Sequence, residues 1–88
     1  MEKELSLEAQ KAALAAELKL EMLDAASYIA EDRDKETATK IREIYAKWYR
    51  GLTGIHPDDR DEFREALIHV RDGGGVPVKD LIERFNRR

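Results

Sequence analysis

The chain contains no cysteine, which excludes disulfides, thiolate metal ligands and thiol nucleophiles and fits a reducing compartment. Proline and glycine are scarce as well, two and five in 88 residues, and all seven fall after residue 50. The first half therefore carries none of the residues that most readily break a helix. No apolar run approaches the ~18–20 residues needed to span a bilayer. The opening MEKELS is acidic and lacks the basic and apolar regions of a signal peptide. The expectation is a cytoplasmic chain with no membrane attachment. An excess of positive charge is also missing. At a net charge of −3 the chain is not a globally basic binder of nucleic acid or of anionic lipid.

Charged residues are nonetheless 40% of the chain, and nearly all must stay in water because burying them costs too much. Their order is uneven: the balance is −5 over residues 1–32, +3 over 33–55 and −1 over 56–88. The middle segment is a basic patch in an acidic protein.

With breakers absent, periodicity decides the first half. Leu5 to Ala30 reads LSLEAQKAALAAELKLEMLDAASYIA. Wound at roughly 100° per residue, its apolar positions form two stripes. One holds Leu7, Leu14, Leu18, Met22, Ala25 and Ile29; the other holds Ala9, Ala12, Ala16, Leu20, Leu23 and Ala30. A polar ridge of Gln10, Glu17, Glu21, Asp24 and Glu31 remains, with Tyr28 among the acids. Such a helix must be covered on two sides. Ser6 is placed to cap it and Glu8 to complement its dipole.

The run Glu31-Asp32-Arg33-Asp34 offers nothing to bury and ends that helix, and Asp34 can cap the next. There Ala38, Ile41, Ile44, Tyr45, Trp48 and Leu52 make one stripe, in which Trp48 is expected to anchor the core. Glu36–Lys40 and Glu43–Lys47 have the favourable i,i+4 order. Gly51 and Gly54 read as stop signals, and Pro57 with Asp58 and Asp59 as a helix start. The third helix buries Phe63, Ala66, Leu67 and Val70, with Ile68 turned away. Gly73 to Gly75 then break the chain, and a short helix opened by Pro77 buries Val78, Leu81, Ile82 and Phe85. No strand pattern competes. The expected fold is all-α: one domain over residues 1–88, a small helical bundle of one long and three shorter helices spanning about 6–31, 35–52, 57–71 and 77–86.

The chemistry-bearing groups give no catalytic pattern. His56 to Glu62, HPDDRDE, collects acids and an imidazole, but Asp58 and Asp59 diverge by about 100° on a helix, as do Asp61 and Glu62. Neither a calcium-loop glycine nor an HExxH motif is present. His69 lies thirteen residues from His56 with no preset geometry. The triglycine lacks the Lys-Ser/Thr of a phosphate loop. No catalytic, cofactor-binding or metal residue is assigned, and the expectation is a chain that is not an enzyme and carries no cofactor.

A non-enzymatic protein-binding module is the reading that remains. Ala12, Ala16, Leu20 and Leu23 with Tyr28 are the expected interface, self-association through helix one the expected mode, and a homodimer the expected state. The acidic ridge offers a second surface, suited to binding or inhibiting a heterologous protein. The alternative is a nucleic-acid-associated regulator that uses Lys40, Arg42, Lys47 and Arg50. Against it, Asp58, Asp59, Asp61 and Glu62 stand where a recognition helix would meet phosphates.

Overall fold

In the computed structural model, which describes residues 6–73 and 77–86, the chain is helical nearly throughout and has no strand among those residues. The helices are α1 (Leu7–Ala30), α2 (Lys35–Lys47), α3 (Arg60–Gly73) and α4 (Val78–Asn86). Two 3₁₀ segments, Tyr49–Gly54 and Pro57–Asp59, lie between α2 and α3. The all-α bundle expected from the sequence is the fold observed.

The caps fall where the sequence places them. The Ser6 side chain accepts from the Ala9 N–H at 3.1 Å and opens α1. The Asp34 carboxylate accepts from the Thr37 N–H at 3.1 Å and opens α2. Hydrogen bonds from Thr37 hold that carboxyl below its ordinary range. His56 caps the second 3₁₀ segment, its Nδ1 accepting from the Asp58 N–H at 3.1 Å.

Helix α1 is the spine. On one side it carries α2 and the first 3₁₀ segment, and on the other α3; α4 closes the bundle across α3 and that 3₁₀ segment. The core runs through Leu14, Leu18, Met22, Ala25 and Ile29 of α1, then Ala38, Ile41 and Tyr45 of α2. Phe63 and Leu67 of α3 complete it with Val78, Leu81, Ile82 and Phe85 of α4. The Phe63 and Phe85 rings meet edge to face, centroids 5.4 Å apart.

Several sequence expectations are corrected, among them Ala66 and Val70 of α3, which are only partly buried. Leu7 lies in line with the buried stripe yet is 48% exposed, because α1 begins about two turns before any neighbour reaches it; Leu14 is its first buried residue. Ala30, read into the outer stripe, is buried, as is Ala26. Ile44 is 42% exposed and Trp48 only half-buried, so Tyr45, fully covered, anchors α2 instead.

The second helix does not run to residue 52. Its α-geometry ends at Lys47, and Trp48 (φ −101°, ψ 5°) turns the chain into the 3₁₀ segment. In a 3₁₀ turn, positions i and i+3 eclipse, which puts Leu52 and Ile55 on the same side, both wholly buried. The α3 helix likewise begins at Arg60, after the 3₁₀ turn at Pro57, and reaches Gly73. Gly74 and Gly75, the rest of the expected break, lie outside the described residues.

The two glycines of the 3₁₀ segment serve close packing rather than helix termination. A Cβ on Gly51 would strike Ile82 Cγ2, and one on Gly54 would strike the Asn86 side chain. Asn86 Nδ2 donates to the Gly51 carbonyl at 3.0 Å and to the Ile82 carbonyl at 2.8 Å, tying α4 to the segment. Gly51→Ala should therefore cost about 1–3 kcal/mol by pressing on a buried branched side chain. Gly54→Ala should cost less, since Asn86 can swing away. Urea melts of the two variants would check the order.

Tyr45 carries the one orphan of the core: its buried hydroxyl has no hydrogen-bond partner among the described residues. Burial pushes its phenol up to about 12, because the phenolate would sit away from water. Tyr45→Phe removes an unsatisfied donor while keeping the ring, so it should leave stability unchanged or raise it by up to ~2 kcal/mol. The parent's contribution from this group is complete below pH ~10, where unfolded tyrosine titrates. It falls by about 1.4 kcal/mol per pH unit towards 12, as the unfolded chain alone releases the proton. Melts at pH 9 and 11 should show that the gap between Tyr45→Phe and the parent widens in alkali.

Candidate functional site

The outer face of α1 is the only long apolar surface that the fold leaves uncovered among the described residues. Ala and Leu are strong helix formers, so this stretch keeps α-geometry even where nothing packs against it. Ala9, Ala12, Ala13, Ala16, Leu20, Leu23 and Ser27 all stand in solvent on the side opposite Leu18 and Met22. Leu20 is 64% exposed and Leu23 40%. Ala12, Ala16, Leu20 and Leu23 are thus brought into one continuous strip.

Tyr28 is not part of that strip. It is 55% exposed but lies more than a quarter turn away, towards α3, where the Arg71 guanidinium sits 4.6 Å from its ring centroid. The contact belongs to a larger pattern that sequence reasoning missed. Arg60 donates to Glu17 Oε1 at 2.6 Å, and Arg64 lies 3.3 Å from Glu21 Oε1. Each of these three contacts joins residues 43 apart in sequence, so α1 and α3 run parallel and in register. Two members of the acidic ridge, Glu17 and Glu21, are consequently half-buried and neutralised within the chain. An i,i+4 spacing of arginines at 60 and 64, matching acids at 17 and 21, was the signal available in the sequence.

On the opposite flank, Lys19 Nζ lies 5.3 Å from the Tyr49 ring centroid. The α2 cations are all exposed but do not converge. Lys40 and Lys47, seven residues apart, share one side of the helix, whereas Arg42 lies about 200° round from Lys40 and Arg50 belongs to the 3₁₀ segment. Lys40 pairs with Glu36 at 3.6 Å, and Lys47 lies over the Trp48 ring at 5.6 Å.

A groove of about 300 Å³ between α3 and α4 is floored by Ala66, Val70 and Leu81, with His69, Asp80 and Arg84 at its edge. Among the described residues no group of His, Asp or Glu side chains is arranged to hold a metal ion, and no helix is long and apolar enough to cross a membrane. Compared with protein-family models, with curated proteins and with solved structures, the chain matches none.

The α1–α3 ion pairs are partly exposed, so each should contribute little. A double-mutant cycle on Glu21 and Arg64 should give a coupling of ~0.2–1 kcal/mol that shrinks in high salt. A coupling well above that range would show the pair to be shielded from water.

Proposed function

We propose that this chain is a non-enzymatic protein-binding module that associates with a second copy of itself through the outer face of α1. One observation carries the reading: Leu20 and Leu23 stand exposed in a strip of alanines, on the helix whose opposite face is the core. Fully burying a leucine side chain is worth about 1.5–3 kcal/mol, and the bundle leaves much of that gain unrealised at Leu20 and part of it at Leu23. The alanines flanking them let another backbone approach, with little side-chain entropy lost on contact. The strip carries no charge along its centre line, so covering it strands no ion. Small domains with a modest core commonly complete it by association.

Light scattering tests the reading. The parent should weigh more than one chain at ~100 µM, a concentration at which even a micromolar Kd is saturated. Leu20→Glu should weigh one chain, keep the parent's circular dichroism spectrum, and melt like the parent diluted until it dissociates, because the residue contributes to association and not to the core. A parent that stays monomeric would overturn the proposal.

A further inference from the structure

The strip is not uniform along its length, and its asymmetry prescribes how a partner copy must lie. Towards the start of α1 its residues are small: Ala9, Ala12 and Ala16. Further along they are large, Leu20 and Leu23, before Ser27 closes the strip. Each large residue has a small one at the same distance on the other side of Ala16. Leu20 is four residues after it and Ala12 four before; Leu23 is seven after and Ala9 seven before. Resting on the self-association proposed above, we infer that the second copy lies antiparallel across α1 with a twofold axis at Ala16.

In that register Leu20 seats on the partner's Ala12 and Leu23 on the partner's Ala9, while Ala16 meets its own symmetry mate. Every leucine fills the space beside an alanine, and the two backbones stay evenly spaced. A parallel pair would set each residue against its own copy. Leucine would then meet leucine at one end and alanine would face alanine at the other, splaying the helices into a wedge with a void at the narrow end. Parallel alignment would also bring the two helix dipoles side by side in the same sense.

Size sets the strength. Residues 9–23 span about 22 Å of helix, and a contact strip of that length covers roughly half the ~800 Å² per partner of a standard interface. The pair therefore belongs with small, reversible interfaces that dissociate on dilution.

The absence of native cysteine makes single-cysteine variants unambiguous reporters. Ala9→Cys, Ala12→Cys, Ala16→Cys, Leu20→Cys and Leu23→Cys all place a thiol on an exposed position, and circular dichroism would confirm that each folds. Under mild oxidation Ala16→Cys should cross-link to itself at least tenfold faster than Ala9→Cys or Leu23→Cys. Ala12→Cys mixed with Leu20→Cys should cross-link to each other faster than either does alone. A dimeric parent whose five variants all self-link at similar rates would overturn the antiparallel register while leaving self-association standing. A monomeric parent with uniformly slow cross-linking would overturn both.

Discussion

The structure depends on the covering of one face of α1. That helix is the only element long enough to touch α2, both 3₁₀ segments and α3, and the buried line from Leu14 to Ile29 is what they are arranged around. Its other face needs no partner for the helix to form, because Ala-rich sequence and the Ser6 cap hold the geometry locally. Folding and association are thus served by opposite sides of the same element. A substitution at Leu18 acts on one and a substitution at Leu20 on the other.

Charge plays a supporting part. The acidic first third and the basic arginines of α3 meet in the ladder Glu17–Arg60 and Glu21–Arg64, extended by Arg71 on Tyr28. Being half in water, these contacts contribute modestly to stability. Moving α3 by one turn along α1 would place Arg60 near Glu21 and Arg64 near Asp24, an arrangement electrostatically similar to the first. Phe63 and Leu67, buried in the core that α3 shares with α1 and α4, select between the two registers. The apolar core fixes what the charges would tolerate.

Much of the fold was legible because it rests on local signals. Ser6, Asp34 and Pro57 mark the starts of their elements, the α4 stripe is the one buried, and of the α3 stripe Phe63 and Leu67 are buried while Ala66 and Val70 are only partly covered. The errors share one cause, which is that periodicity says which face is apolar but not where a neighbour ends. Leu7 and Leu14 lie on the same stripe, yet only Leu14 has anything beside it. The turn at Trp48 was hidden for another reason. A switch from α to 3₁₀ geometry leaves a pattern of the same apolar residues, and only the burial of Ile55 with Leu52 reveals it. Gly51 and Gly54 have an ordinary helix-stop appearance; their role in admitting Ile82 and Asn86 depends on an element 31 residues further along. For the candidate site, the outer strip was readable as apolar, while the placing of Tyr28 on the α3 flank beside Arg71 depends on a helix 43 residues further along.

The tightened segment between α2 and α3 also ranks the places where this chain can change. The link from Glu31 to Asp34 is exposed at every position and touches nothing in the core, so residues added there would lengthen a solvated turn. The stretch from Trp48 to Pro57 looks like a connection of the same kind but is a wall of the interior, with Leu52 and Ile55 set by the eclipsed spacing of its turns. One added residue would rotate the second out of the core while keeping the composition intact. Of these two links, the first is where a tag, a loop or a second module can be grafted, and the other is as constrained as the helices it joins.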